Sequence, residues 1–285
     1  MLPTHMPATS PPSHAQLLPR RRGLAWWVYP LLLAAALLSL TTAVWALQAR
    51  VRASDALTGW SKHVVLPSGE QGVEVRASLF PSSYDELQRS AAYIAAAASH
   101  HYAAFLATYA LAYIVKQTFS LPGSGVLNAL AGIAFGAWWG ALYAVLLTAL
   151  GTSGAYLLSH EFGALLMTRF NLAERILPLR LRVEAARKRK TLAFYLISLR
   201  TLPVFPQWLI NLASPHIGIP LRYFVPCTAV GLIPYNVITV RAGAFIATTP
   251  LNSLLSAQTF LLLAGIATVF LLPALCMRRI ERALL

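Results

Sequence analysis

The sequence LPGSG at residues 121–125 interrupts a long apolar region and decides how the chain folds. Proline removes a backbone donor and clashes with the preceding turn, and glycine favours turns, so this stretch predicts a helix break. A half-length helix is predicted after it, at residues 126–136, and it carries Asn128. The apolar run at residues 138–162 that follows is long enough to cross a bilayer, which takes about 20 residues.

A second break of the same kind lies in the sequence LPVFP at residues 202–206. The short apolar piece that follows, residues 208–213, carries Asn211, and a full span is predicted at about 222–246. Each unit is therefore predicted to be a short broken segment followed by a long helix. Paired, interrupted hydrophobic segments in corresponding positions of two halves are typical of transport-type sites.

Interrupted segments occur at transport-type sites because a break leaves backbone groups without hydrogen-bond partners. Amides and carbonyls freed at a break cannot face lipid, so they are buried in protein or line a wet cavity. Two half-helices that meet near the membrane midplane would form a polar groove through the bilayer. The alternative is two ordinary kinked spans whose asparagines make helix contacts.

The composition places the chain in a membrane. Of its 285 residues, 57% are hydrophobic and 11% are charged, whereas about a quarter of the residues in soluble domains are charged. The net charge is +14, and the basic residues flank apolar segments. This pattern indicates positive-inside topology and contact with anionic headgroups, and not a nucleic-acid partner.

The predicted fold class is an all-α polytopic membrane protein with about five to six transmembrane helices and two facing re-entrant helical hairpins that form an inverted repeat. The alternatives are five crossings with two re-entrant hairpins, or six crossings if the 120–136 piece also crosses. The predicted divisions are a disordered N-terminal tail at 1–22, a first transmembrane helix at 23–49, an extramembrane loop at 50–82 and a membrane domain at 83–280, which comprises repeat one at about 101–162, a basic amphipathic linker at 163–191 and repeat two at about 192–277.

A capping signal predicts where the membrane domain begins. Ser83 is followed three residues later by Glu86, which is the pattern of a capping box at a helix start.

Arg200 is the candidate functional side chain of the second unit because it lies just before the break. A basic residue near membrane depth costs about 2.5–3.5 kcal/mol on insertion scales, so it normally faces a cavity or a partner. It could hold a lipid phosphate or satisfy carbonyls freed by Pro203 and Pro206, or it could snorkel to the near interface. Lys116 is interpreted as an interface anchor, and Glu161 is expected to reach water at the end of a span.

No catalytic or metal-binding constellation emerges from the sequence. Cys227 and Cys276 both lie in apolar segments and are interpreted as small hydrophobic residues. No phosphate-binding loop for a nucleotide is present. The sequence therefore predicts neither an enzyme, a metal site nor a cofactor.

The first broken segment resembles a known family. The sequences KQTFSLPGS at 116–124, LNALAG at 127–132 and FG at 135–136 resemble the first half of the DedA/VTT domain, which is also called the SNARE-associated Golgi protein domain.

The second broken segment resembles the other half of that domain, in LRTLP at 199–203, PQWLIN at 206–211 and SP at 214–215. GLIPYN at 231–236 is similar to the eukaryotic transmembrane-protein-41 branch. The resemblance covers about residues 80 to 280.

The resemblance implies a phospholipid scramblase of the endoplasmic reticulum membrane that moves lipids passively between leaflets and supports autophagosome formation and lipid distribution. Bacterial relatives imply an alternative, an ion- or proton-coupled transporter. The chain has no Asp or Glu between Ser90 and His160, which favours passive movement. A third possibility is a non-transporting scaffold for autophagy factors.

The expected partners are membrane phospholipids, related VTT-domain proteins, and autophagy or lipid-transfer factors. The lipid pathway and the hairpins are predicted to use the residues of the two breaks and the glycines that allow close helix approach, namely Pro122, Gly123, Ser124, Asn128, Gly132, Gly136, Arg200, Pro203, Pro206, Asn211, Pro215 and Gly231.

Overall fold

The computed structural model describes residues 27–66, 83–169, 172–201 and 206–249, and these ranges contain helices and no strands. The predicted all-α class is therefore confirmed for these residues. The N-terminal tail, Pro203 and the part of repeat two after residue 249 lie outside them. The helices are α1 (Val28–Thr58), α2 (Tyr84–His100), α3 (Tyr102–Thr118), α4 (Ser124–Arg169), α5 (Ala173–Lys188), α6 (Leu192–Thr201), α7 (Gln207–Ala213), α8 (Leu221–Gly231) and α9 (Ile233–Thr248), with a short 3-10 helix at Trp60–His63.

Helix α1 continues past the predicted start of the loop at residue 50. It ends at Thr58 because Gly59 adopts a left-handed conformation, φ 62°, and donates its N–H to the Asp55 carbonyl oxygen at 2.6 Å. A polar composition alone does not end a helix, whereas a left-handed glycine does.

Helix α2 starts where the capping signal predicts. The Ser83 hydroxyl accepts the Glu86 backbone N–H at 3.2 Å, and Asp85 and Glu86 lie in the first turn. Acidic side chains are favourable there because they face the positive end of the helix dipole.

Helix α4 consists of two arms that fold back on each other at Gly136. This glycine has φ 76° and ψ 174°, a backbone conformation that side-chain-bearing residues rarely adopt. A Cβ placed on Gly140 would lie 2.7 Å from the Ala131 carbonyl oxygen, so the arms touch just beyond the turn. The rings of Phe135 and Tyr143, one from each arm, are 5.3 Å apart between centroids. The half-length helix thus ends at the predicted glycine, and the chain reverses there.

The helix of the second broken segment is shorter. Helix α7 starts behind Pro206, ends before a turn at residues 214–218, and is followed by α8. Helix α8 returns along α6, and a Cβ on Gly231 would lie 2.9 Å from the Ile197 carbonyl oxygen.

The region predicted as a full span at about 222–246 contains two helices, α8 and α9, instead of one continuous helix. The chain bends by 40° between α8 and α9, at Leu232. Pro234 explains the bend because it lacks the N–H that the Val230 carbonyl would accept, and its ring clashes with that carbonyl.

Two buried clusters organise the bundle. One includes side chains of α3, of both arms of α4 and of α9. The other includes side chains of α5, α6, α7 and α8. The two broken segments lie where these clusters meet.

In the described ranges two helices are long and apolar enough to cross a membrane, namely Val28–Thr58 and Ser124–Ala164. The bent pair α8 and α9 is a third candidate if it is counted as one span. Because Ser124–Ala164 includes the reversal at Gly136, it is a hairpin and not one straight span. The total number of spans and the inverted repeat stay predictions.

Candidate functional site

The two broken segments touch each other through Ser120 and Asn211. Ser120 lies between α3 and α4, and Asn211 lies on α7. The Asn211 Nδ2 donates to the Ser120 Oγ at 3.1 Å. Residues that are far apart in the chain are thus brought together, as the groove hypothesis requires.

A cavity of about 620 Å³ opens beside this contact. Both broken segments line it, and it holds two basic side chains, Lys116 and Arg200, so we call it the cation cavity. Its lining residues are Tyr113, Lys116, Gln117, Ser120, Leu121, Pro122, Ser124, Thr148, Arg200, Thr201, Gln207, Trp208, Asn211, Leu232, Tyr235 and Asn236.

Arg200 is buried, with 5% of its surface exposed. Its Nη2 donates to the Asn211 Oδ1 at 2.8 Å, and its Nη1 donates to the Gln207 Oε1. The guanidinium carbon also lies 5.0 Å from the ring centroid of Phe224. All these partners are neutral, and the guanidinium is enclosed by the protein.

Lys116 occupies the matching place in the first unit. Its Nζ donates to the Gln117 Oε1 at 3.0 Å and to the Ser124 Oγ. The sequence suggested an interface anchor, and the structure places Lys116 on the wall of the cation cavity. The sequence did contain a signal that Lys116 and Arg200 correspond, because Lys116 precedes Pro122 by the same interval at which Arg200 precedes Pro206.

Asn128 lies in a buried network and is not among the residues that line the cation cavity. Its Nδ2 donates to the Asn236 Oδ1 at 3.0 Å and to the Thr239 Oγ1 at 2.8 Å, and its Oδ1 accepts from the Tyr113 hydroxyl at 3.0 Å. Tyr113 also bonds Thr148, on the other arm of α4, at 3.0 Å. The network joins α3, both arms of α4 and α9 behind the cavity wall.

A second cavity, of about 590 Å³, adjoins the first. We call it the Tyr29 cavity. Ser120, Trp208 and Asn211 line both cavities and form the wall between them. The Tyr29 cavity also reaches Arg175 on α5, so a basic side chain lies along it too.

The remaining predicted residues shape the backbone around these cavities. Pro122 and Ser124 line the cation cavity. Gly123 adopts φ 110° just before α4, Pro206 caps α7, and Pro215 lies in the turn after α7. A Cβ on Gly132 would lie 2.6 Å from the Ala244 backbone nitrogen, and one on Gly231 would lie 2.6 Å from the Arg200 Cβ.

Acidic side chains are scarce around the site. Between residues 90 and 280 the sequence contains only Glu161, Glu174 and Glu184 as acids. None of them lines either cavity. Glu161 is 48% exposed and pairs with His160 at 3.0 Å, as its expected contact with water requires.

Sequence reasoning missed several lining side chains. Tyr113, Thr148 and Asn236 sit in apolar helices and carry no local signal of their function. Gln117, Ser120 and Gln207 adjoin the breaks, so their position beside a proline was the signal that could have identified them.

Comparison with known proteins identifies relatives of this chain. The VTT domain family matches residues 121–245. An uncharacterized membrane protein of Arabidopsis thaliana is 31% identical over 221 residues, which cover 76% of this chain and 74% of that protein. No solved structure matches the chain.

Two further relatives carry the name transmembrane protein 41 or 41B. Transmembrane protein 41B of Xenopus tropicalis is 31% identical over 182 residues, or 64% of each chain. The Transmembrane protein 41 homolog of Dictyostelium discoideum is 30% identical over 185 residues, or 64% of this chain and 54% of that protein. The match thus spans between about half and two thirds of these two relatives. The chain belongs to the VTT-domain family of membrane proteins, also called DedA, and to its transmembrane-protein-41-like branch.

Proposed function

We propose that this protein is a phospholipid scramblase of the endoplasmic reticulum membrane, which moves lipids passively between leaflets and supports autophagosome formation and lipid distribution. The observation that carries the proposal is the cation cavity, which both broken segments line with cationic, amide and hydroxyl side chains. The family relationship supports it.

The physical argument concerns the headgroup. A charged headgroup loses its hydration in hydrocarbon, and this loss is the main cost of crossing. Hydroxyl, amide and cationic side chains in the cation cavity offer replacement hydrogen bonds, while the acyl chains can stay in lipid. The adjoining Tyr29 cavity extends the polar route, and its wall is thin at the Ser120–Asn211 contact. Movement down a gradient along such a route needs no energy source.

The scarcity of acids favours the passive mechanism over a proton-coupled transporter. Proton coupling needs a group in the pathway that gains and loses a proton near neutral pH. Glu161, the acid nearest to the first unit, pairs with His160 at the surface. No described acidic side chain lines the two cavities.

Reconstitution tests the proposal. The full chain is incorporated into phosphatidylcholine liposomes that contain a trace of NBD-labelled phosphatidylcholine, and dithionite is added outside. We expect dithionite to bleach the label of both leaflets in liposomes that contain protein. Protein-free liposomes, in which only the outer leaflet is bleached, are the control.

Two other outcomes of the liposome assay would favour the alternative functions. Bleaching of the outer leaflet alone in liposomes that contain protein would contradict scrambling and favour a scaffold. If a pH gradient is needed for bleaching of the inner leaflet, the transport is proton-coupled. Imaging of the tagged chain against an endoplasmic reticulum marker tests the proposed location separately.

A further inference from the structure

We propose that Lys116 and Arg200 together form a binding site for the phosphate of a lipid headgroup, and that this site selects lipids that carry a phosphate diester. The inference rests on the proposed function and names what that pathway recognises. It goes beyond the presence of a polar cavity because it assigns the recognition to two side chains, one from each broken segment.

The first step of the argument is charge. Both side chains line one cavity, and their hydrogen-bond partners are neutral amide and hydroxyl oxygens. A buried charge is costly unless an opposite charge lies near it. Since no carboxylate of the described residues lines the cavity, an anion that enters it would supply the missing charge.

The second step is exchange of partners. A phosphate oxygen adds the attraction between opposite charges to the hydrogen bond, and this attraction is stronger in a protein cavity than in water. A phosphate oxygen would therefore replace the Asn211 or Gln207 oxygen on the guanidinium, or the Ser124 hydroxyl on Lys116, at a net gain. The displaced side chains remain at the cavity wall, where they can bond the ester oxygens.

The third step is orientation. The guanidinium carbon of Arg200 lies 5.0 Å from the centre of the Phe224 ring, and this contact helps to hold the guanidinium in place. Arginine in a fixed plane matches the spacing of two phosphate oxygens, whereas the lysine ammonium acts as a point charge and tolerates many positions. The two side chains thus have complementary roles.

The consequence is specificity for the phosphate. Phosphatidylcholine and phosphatidylserine both carry a phosphate diester, whereas glucosylceramide has a polar headgroup without one. We expect the full chain in liposomes to move the two NBD-labelled phospholipids at least about tenfold faster than NBD-glucosylceramide, which corresponds to one hydrogen bond to a charged group.

Variants assign this preference to the two cations. In Lys116→Gln and in Arg200→Gln we expect the phospholipid rates to fall about tenfold, towards the glucosylceramide rate, while the glucosylceramide rate falls much less. Arg200→Lys keeps the charge and should retain most of the preference. Arg222→Gln and Arg241→Gln are matched controls, because these arginines lie over Tyr223 and Trp138 and do not line the cation cavity. Thermal unfolding and gel filtration verify that each variant is folded.

A binding measurement separates this proposal from the proposed function. Trp208 lines the cation cavity, so its fluorescence, taken as the difference from Trp208→Phe, reports occupancy. Protein in detergent is titrated with dihexanoylphosphatidylcholine, with hexyl glucoside and with inorganic phosphate. We expect a saturable response to the phospholipid, its loss in Lys116→Gln and Arg200→Gln, and none to the glucoside. A response to inorganic phosphate would also support the site and would identify free phosphate as a second ligand.

Several results would overturn the proposal. Equal wild-type rates for glucosylceramide and the phospholipids would do so, and so would an equal slowing of all three lipids in the two glutamine variants. If no lipid moves but Trp208 responds as expected, the scramblase proposal fails and the phosphate site stands. If Trp208 responds to neither phospholipid nor phosphate, the site is wrong even where lipids move.

Discussion

Asn128 and Asn211 occupy corresponding places in the two units, yet they have different surroundings. Asn128 is fully buried and bonds only protein groups, whereas Asn211 faces both cavities and connects Arg200 to Ser120. The first side chain holds helices together and the second belongs to the candidate pathway.

This difference predicts that replacement by leucine mainly lowers stability at Asn128 and mainly lowers scrambling activity at Asn211. Asn128→Leu keeps the number and branching of the side-chain heavy atoms, but it removes a hydrogen-bond partner from the Asn236 amide oxygen and the Tyr113 hydroxyl, both on side chains that are 1% exposed. We expect a loss of about 1–3 kcal/mol in the free energy of unfolding, measured by denaturant titration in detergent. Asn211→Leu is the matched variant, and it should lose less stability, since its partners can bond water in the cavity, but more scrambling activity. Equal stability losses would contradict the assignment.

At the scale of the helices, the contact between α9 and the first arm of α4 depends on two glycines. A Cβ on Gly132 would lie 2.6 Å from the Ala244 nitrogen, and one on Gly243 would lie 2.5 Å from the Ala129 Cα. Backbone atoms cannot move aside as a side-chain end can. Close packing of this kind replaces the hydrophobic effect as a source of helix association in lipid.

Gly132→Ala should therefore destabilise the protein. We expect a loss of about 1–3 kcal/mol from overpacking, measured as a lower thermal midpoint in detergent. Gly125→Ala is the matched control in the same arm. The nearest atom to its new Cβ would be the Tyr235 hydroxyl oxygen at 3.3 Å, the end of a movable side chain. The helix propensity of alanine should offset that contact by about 1 kcal/mol. A thermal midpoint of Gly132→Ala at or above that of Gly125→Ala would rule out the tight contact.

For the molecule as a whole, the Ser120–Asn211 contact joins the two units and separates the two cavities. The scramblase proposal requires a headgroup to pass this wall. Movement of the two units relative to each other at this contact would join the cavities.

A reversible cross-link tests this requirement. Cysteines are placed at Ser120 and Asn211 in a chain whose Cys227 and Cys276 are replaced by serine, and a short bis-methanethiosulfonate reagent is added. We expect an intramolecular cross-link and a loss of scrambling relative to the same variant before treatment, with recovery after reduction. Each single-cysteine variant treated with the same reagent shows the effect of modification alone. Failure to cross-link would mean that the two units do not meet here.

Features set by neighbouring residues could be predicted from the sequence, whereas contacts between distant parts of the chain could not. The breaks around Pro122 and Pro206, the start of α2 behind Ser83 and the reversal at Gly136 were all predictable, because proline, glycine and capping residues act on the backbone next to them. The bend before Pro234 carried the same kind of signal and was missed in favour of hydrophobic length. The position of Lys116 in the same cavity as Arg200 and the difference between Asn128 and Asn211 were not predictable, since they depend on helices that meet only after folding.

The sequence by itself therefore determined a helical membrane protein of the VTT-domain family with two proline-broken segments, because apolar composition, charge position and helix breaking are local properties of the chain. Only the tertiary structure decided that Lys116 and Arg200 line one cavity, that Ser120 meets Asn211, and that Asn128 is withdrawn into a buried network. The physical reason is that these contacts join positions distant in the chain, and their geometry depends on how closely the glycines let the helices pack.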